Sequence, residues 1–309
     1  MRPVIAVHVG AGTWKYLKVD DVINAISDAL KAGIRAIASG GSAVDAVVKS
    51  VMVLEDSGLF NAGLGSVVDL AGGVSMDAGV MDGWSGSIGA VASVTYPKNP
   101  VLLARKVMEL TDHVIIAGSG GDELARRLGL EKHPGPSQEV LKRFRELLRR
   151  AKEGKVRFRK SYELALRLGI VSTADTVGAV ALDKEGRLAA AVSTGGVIMK
   201  FPGRVGDSAV PGAGFYASRS AAAVATGVGE VIIKSFLTLK AVSKVESGLS
   251  VMRAAEEAIE ELSKVYGNDN AGLIIIDSEG NAWGAYNTRA MPWGFLRFGD
   301  RAPTISGLP

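Results

Sequence analysis

Threonines close to glycine are the chemistry-bearing feature of this chain: Thr173 and Thr176 in STADTVGAVALD, Thr194 in STGG and Thr226 in TGVGE. A hydroxyl is a weak nucleophile without an adjacent base. The usual bases and rival catalysts are scarce here. His8, His113 and His133 are the only histidines and are widely scattered, with no HExxH pair, no GxSxG turn and no Walker A loop. Zero cysteines exclude a thiolate nucleophile, a disulfide and a cysteine-ligated metal. Threonine is β-branched and suits strands, so each cluster also has a plain structural reading. Thr176 differs in its setting, because it opens an apolar strand-like run directly after a basic, Pro- and Gly-punctuated stretch. Scission before Thr176 frees an α-amine of unperturbed pKa ~7.7–8.0, a built-in base for the hydroxyl of the same residue.

Other motifs are open to two readings. Gly212-Ala-Gly214-Phe-Tyr-Ala217 satisfies a relaxed dinucleotide fingerprint, but it follows Pro211 rather than a clear strand. Gly118-Ser-Gly120-Gly121 suits a tight strand-to-helix turn, or an anion at a helix N-terminus. Arg204 and Asp207 in GRVGDS suit a structural salt bridge, or a guanidinium and a carboxylate that recognise a zwitterion.

The elements that must position these residues follow from hydrophobic periodicity. It predicts a buried strand over 4–9 ending in Gly10-Ala11-Gly12, helices over 20–38 and 42–54, and a strand in GSIGAVASVTY. Asn99-Pro100 opens another helix to about 110, and a short one is expected over 123–128 after VIIAG. TVGAVALD and RLAAAVST flank Lys184-Glu185-Gly186 as a hairpin, and GLIIIDSEGNAWGAYN forms a second. Helices are predicted over 217–225, 230–242 and 249–265. Strands paired by hairpins, with helices in blocks, indicate an α+β domain of antiparallel sheet covered by helices. Residues 132–172 lack a sustained strand pattern and read as a mobile surface linker.

Composition narrows the function further. Glycine is high, 39 of 309 residues, as tight turns or close backbone–ligand approach require. The net charge of +4 is concentrated in 142–160, which holds ten Lys/Arg and two Glu, so the remainder is slightly acidic. A solvated helix or linker is the ordinary reading of that block, and a nucleic-acid contact is the alternative. No run approaches a membrane span or a signal peptide, which points to a soluble, cytoplasmic protein. A single glutamine, Gln138, matches the composition expected of a hot habitat.

Taken in order, LFNAGLGS, MDAGVMDG, DTVGAVALD, STGG, PGRVGDSAVPGAG and TGVGE resemble the plant-type (type III) asparaginase/isoaspartyl aminopeptidase family, a branch of the N-terminal-nucleophile hydrolases, over nearly the whole chain. The resemblance implies an αββα sandwich and a precursor that cuts itself between Asp175 and Thr176. The resulting α (1–175) and β (176–309) chains stay together, commonly as a homodimer of αβ units. Substrates would be L-asparagine and β-aspartyl dipeptides, with no catalytic cofactor. Thr176 becomes the nucleophile, Thr194 tunes it, and Thr226 with the Gly227 N–H forms the oxyanion hole. Asn61 orients the Thr176 amine or assists the oxyanion. Arg204 takes the substrate α-carboxylate, Asp207 its α-ammonium, and Gly229 leaves room beside the ligand. The family also holds a structural sodium through backbone carbonyls, here those of Leu54, Glu55, Ser57, Phe60, Ala62 and Leu64.

Three departures stand out. Asp175 replaces the glycine usual before the nucleophile, as in glycosylasparaginases and taspase-like endopeptidases, which are the nearest alternative readings. HGGAG becomes His8-Val9-Gly10-Ala11-Gly12, and GDSP becomes Gly206-Asp207-Ser208-Ala209.

Overall fold

Strand β1 (Val4–His8) is buried at all positions. It is flanked antiparallel by β11 (Trp293–Arg297) and by β5 (Thr176–Leu182), so neither of its edges meets water. The computed structural model describes residues 2–12, 14, 17–69, 71–138, 140–142, 144, 176–197 and 200–309. The remaining strands of this sheet are β2 (Met76–Asp82), β3 (Ile88–Val94), β4 (Ile115–Ala117), β6 (Leu188–Thr194) and β12 (Thr304–Ser306). Their order is β12-β11-β1-β5-β6-β2-β3-β4, antiparallel except for β3–β4. A second sheet joins β7 (Phe215–Ala217), β8 (Ala221–Gly227), β9 (Ala271–Asp277) and β10 (Ala282–Tyr286) in the order β10-β9-β8-β7.

Side chains alternate across each strand, and the two faces sort into separate cores. Val4, Ala6, Val180, Leu182, Ala190 and Val192 pack against Val224, Ile274 and Ile276 of the second sheet. Ile5, Val7, Val177, Ala179, Ala189 and Ala191 face the other way, onto apolar residues of α1 (Val19–Ala38), α2 (Ala43–Asp56) and α3 (Pro100–Leu110). On the far side, Ala221, Ala223, Ala225, Leu273 and Ile275 meet the helices Leu237–Glu246 and Val251–Tyr266. The result is the expected αββα sandwich. Burial at 25–30 cal/mol per Å² of apolar surface is what drives these layers together.

Local signals account for most boundaries. Ser42 caps α2 in a reciprocal capping box with Asp45, and Pro100 sits in the first turn of α3. The hairpins β5–β6 and β9–β10 form as expected. The helix expected over 217–225 is instead β7 and β8. Its run of alanines favours helix locally, but alternation places Ala222 and Val224 between the sheets and Ala221, Ala223 and Ala225 under the helices. The helix expected over 230–242 is two, Gly229–Ser235 and Leu237–Glu246, broken at Phe236 with φ 48°. Helix α4 (Gly118–Arg127) begins at the glycine turn itself, five residues before the expected start. The motif at 212–217 is a turn into β7, with the Gly212 N–H donating to Phe215 O, so the dinucleotide reading fails.

The linker expected over 132–172 begins docked: His133 is buried, its N–H donates to Tyr96 O, and its ring Nε2 lies 2.9 Å from Gly63 O. Most of that stretch, nearly all of the basic block and Asp175 lie outside the described residues. The eight-stranded sheet takes β1–β4 from before Thr176 and β5, β6, β11 and β12 from after it. Segments 1–175 and 176–309 therefore interleave in one sheet.

Candidate active site

Thr176 and Thr194 are cross-strand partners at one end of the β5–β6 hairpin. Because paired residues of an antiparallel ladder share a face, both side chains lie on the side that packs against the second sheet. The Thr176 hydroxyl donates to Thr194 Oγ1 at 2.7 Å, and both residues are buried. Thr194 Oγ1 also accepts from the Gly196 N–H at 2.9 Å and from Asn61 Nδ2 at 3.4 Å. Asn61 is itself clamped, with Nδ2 donating to Gly196 O at 3.0 Å and Oδ1 accepting from the Val67 N–H at 3.0 Å. Asn61 thus joins the site, but its described donors serve Thr194 and the Gly195-Gly196 turn.

The opposing wall comes from β8. Gly178 of β5 has no side chain, and a Cβ there would meet Val224 at 3.0 Å and His8 Nε2 at 2.6 Å. Thr226, two residues beyond Val224, lies on the same inter-sheet face and is buried. Gly280, in the β9–β10 turn, is close to Val4 and Leu182, while Asp277 pairs with Ala221. That end of the sandwich therefore holds the end of β5 and the start of β8, leaving Thr176 and Thr226 together at the other. Gly227 follows with φ 138°, where any Cβ would strike Asn270 O, so only glycine fits.

A second cluster adjoins the threonines. Asp77 of β2 is the cross-strand partner of Thr194 on its other side. Asp77 Oδ1 accepts from the Ser93 N–H and Oδ2 from the Gly206 N–H, both at 2.8 Å. These bonds tie the loop of Arg204 and Asp207 to the sheet end beside Thr194. Arg204 makes a bidentate pair with Glu230, Nε–Oε1 at 2.9 Å and Nη2–Oε2 at 3.0 Å. A Cβ at Gly229 would lie 2.6 Å from Arg204 Nη2 and 2.9 Å from Asp207 Oδ1, so a glycine here lets both groups approach the backbone.

Electrostatics single out Asp207. It is 3% exposed, and its Oδ2 has no hydrogen-bond partner among the described residues. Burial pushes its pKa up to about 7 despite the nearby Arg204. Burial likewise raises Asp77 against Lys200 and its N–H donors, and pulls Lys200 down to about 8. Both chemical classes are therefore present: a hydroxyl with a hydrogen-bonded acceptor, and a buried anion beside a braced guanidinium.

Residues 1–304 match the asparaginase family. The chain belongs to that family. It is 50% identical over 301 residues to the plant-type L-asparaginase of Pyrobaculum calidifontis, covering 96% of this chain and 97% of the relative. It is 39% identical over 312 residues to the isoaspartyl peptidase of Escherichia coli, covering 98% and 95% of the two chains. A protein of Xenopus laevis named isoaspartyl peptidase/L-asparaginase is 37% identical over 303 residues, covering 96% and 93%.

The loop matched to the family's sodium site runs from the end of α2 through the 3-10 turn Gly63–Gly65. Gly63 takes φ 51° and a Cβ there would lie 2.8 Å from Glu55 O, while a Cβ at Gly65 would strike the carbonyls of Phe60 and Gly58. A cradle of carbonyls that any side chain would fill suits a hard cation. Leu54 O accepts from Ser57 Oγ, Phe60 O from the Ala62 N–H and Ala62 O from the Gly65 N–H, each leaving a second lone pair. Among the described residues, no group of three or more His, Cys, Asp or Glu is placed to hold a metal, and no helix is long and apolar enough to cross a membrane.

Residue-by-residue reading of this asparaginase-family chain missed Asp77, Lys200 and Glu230. Asp77 and Glu230 stand inside quoted motifs, MDAGVMDG and TGVGE, and a charge close to glycine was the available signal.

Proposed function

We propose that the chain is a self-processing threonine hydrolase of L-asparagine and β-aspartyl dipeptides. The observation that carries this reading is the 2.7 Å bond from the Thr176 hydroxyl to Thr194 at the start of β5, with the buried Asp207 carboxylate nearby, one oxygen of which has no partner among the described residues. In maturation the Thr176 hydroxyl attacks the Asp175 carbonyl, the C–N bond breaks, and the acyl group passes from nitrogen to oxygen. Water then hydrolyses the ester and leaves Thr176 with a free amine.

In turnover that amine takes the hydroxyl proton as Oγ1 attacks the substrate's side-chain carbonyl. Thr194 holds the nucleophile's rotamer through the short bond. Thr226 and the Gly227 N–H stabilise the oxyanion; losing one such donor costs ~10²–10³ in rate. The protonated amine donates to the leaving ammonia or amino acid, and water then releases aspartate from the aspartyl ester. Asp207 Oδ2 receives the α-ammonium, and Arg204, held by Glu230, directs its remaining edge to the α-carboxylate. Sodium on the carbonyls of Leu54, Glu55, Ser57, Phe60, Ala62 and Leu64 would rigidify the turn that carries Asn61 and supply no reactive group. A homodimer of αβ units in the cytoplasm, a reducing compartment that suits zero cysteines, completes the reading.

Intact mass and ammonia release test it. Wild type resolves into pieces of about 18 and 14 kDa from 32.1 kDa and releases ammonia from asparagine. Thr176→Ala stays whole and inactive. A wild-type chain that never splits, or a Thr176→Ala chain that does, refutes the reading.

A further inference from the structure

Lys200 is 2% exposed, in a position where lysine is seldom found unless its ammonium is matched. Its Nζ donates to Ser75 O at 2.5 Å and to Gly195 O at 2.6 Å. The first carbonyl precedes β2, two residues before Asp77; the second belongs to the residue directly after Thr194. The lysine stem also fills the space behind Gly196, where a Cβ would lie 2.7 Å from Lys200 Cδ. Gly196 takes φ 87°. In that conformation its N–H reaches Thr194 Oγ1 and its carbonyl reaches Asn61 Nδ2. A continuous set of contacts therefore runs from the ammonium through the Gly195-Gly196 turn to Thr194 Oγ1, the atom that accepts the Thr176 hydroxyl.

We propose that Lys200 is a positioning residue of the hydrolytic reaction: its charged ammonium clamps the Gly195-Gly196 turn, so that Thr194 Oγ1 stays oriented to hold the nucleophilic hydroxyl. This rests on the assignment of Thr176 as nucleophile. A side chain placed only for stability needs the bonds but not the charge, and the two roles separate on that point. The charged groups acting on Lys200 are Asp77 from β2, Asp69 from the turn before it and Arg204 from its own loop. The two carboxylates favour the ammonium and Arg204 opposes it, while burial brings its pKa to about 8. Deprotonation weakens both carbonyl bonds, since a charge-assisted hydrogen bond is roughly twice as strong as a neutral one. The clamp therefore slackens as pH rises through about 8.

The test measures kcat and KM for asparagine from pH 6 to 10 on mature wild type, Lys200→Met and Lys200→Arg. Wild-type kcat falls on the alkaline side, above about pH 8. Lys200→Arg keeps its charge throughout, because guanidinium stays protonated, and its alkaline fall disappears. Lys200→Met loses about 100-fold in kcat, the scale of a small misplacement of a reacting group, while KM stays within about 3-fold. A wild-type kcat flat from pH 8 to 10 overturns the proposal by itself, whether or not either variant folds. An alkaline fall shared by wild type and Lys200→Arg, or a mature Lys200→Met of wild-type kcat, also overturns it. Wild type that neither splits nor releases ammonia instead refutes the assignment of Thr176, so the two failures are distinguishable.

Discussion

Asp207→Asn is expected to separate recognition of the substrate's ammonium from the chemistry at Thr176. Asp207 is fully enclosed, and one of its carboxylate oxygens lacks a partner among the described residues. An α-ammonium seated there gains a charge partner already stripped of water. Removing one member of such a buried pair costs about 3–5 kcal/mol, or a loss of more than 100-fold in kcat/KM for asparagine. Arg204 does not become an orphan in the variant, because Glu230 already holds it on two atoms. The fold should therefore survive, and its stability should respond with a definite sign. A folded pKa raised from 3.8 to about 7 means that Asp207 favours folding fully below pH 3.8 and loses that contribution as pH rises through 7. Ionised Asp207 is thus a burden at pH 8, and Asp207→Asn should be the more stable protein there, measured by urea denaturation in the uncleaved Thr176→Ala background. Stability gained at the expense of activity is the usual mark of a residue kept for function.

The assay compares ammonia release from L-asparagine and from succinamate, which is asparagine without its α-ammonium. The Thr176 amine acts on both, so their ratio isolates Asp207. With a free-enzyme pKa of about 7, the wild-type ratio falls about 100-fold from pH 8 to pH 5, since kcat/KM reports the free enzyme's groups. In Asp207→Asn the ratio is low and flat. An Asp207→Asn enzyme that still prefers asparagine to within about 3-fold of wild type refutes the placement of the ammonium at Asp207.

Glu230→Gln removes the charge of the brace while keeping its shape; Glu230 is partly exposed, so steady-state kinetics should show KM raised about 5-fold and kcat nearly unchanged. His8 is fully buried, and burial alone lowers its pKa to about 3 from 6.5, so the unfolded chain takes up its proton first and stability is lost as pH falls from 6.5 to 3. By pH 5 the loss is about 2 kcal/mol, and in the Thr176→Ala background the stability of His8→Leu relative to its parent should improve by that amount between pH 8 and pH 5. An unchanged difference would show that His8 gains a partner on folding.

Much of the site was legible in the sequence because it is built from local pieces. Thr176 and Thr194 face each other because TVGAVALD and RLAAAVST are alternating runs joined by a turn at 184–186, and a hairpin's register follows from its turn. Arg204 and Asp207 were visible as a charged motif, but Glu230 as the guanidinium's partner was not, since that pairing spans 26 residues. Lys200 and Asp77 bind backbone carbonyls and N–H groups, so even where the charge of Asp77 stands out in its motif its partners do not. The error at 217–225 has the same origin. Alanine is the best helix former in isolation, and only the second sheet, assembled from β7 to β10, makes that run a strand.

The placement of Thr176 is compatible with the proposed scission leaving the fold intact. Asp77, Thr194 and Thr176 form one cross-strand row over β2, β6 and β5, on the face that meets the second sheet. Farther along the same strands that face is Val180, Leu182, Ala190 and Val192, a dry core. The polar groups of this row thus sit at the end of the seam, where Thr176 bonds Thr194 and Asp77 takes two backbone N–H groups. β5 lies between β1 and β6, and β1 is also bonded to β11. Scission before Thr176 removes one covalent bond at a strand's start and leaves the ladder bonds on both sides intact. The segment before the cut supplies β1 to β4 of the eight-stranded sheet, the segment after it supplies β5, β6, β11 and β12, and neither holds that sheet alone. In the proposed maturation the new amine would arise in place, two strands from Asp77 and on the same residue as the Thr176 hydroxyl, with the ladder already holding its geometry.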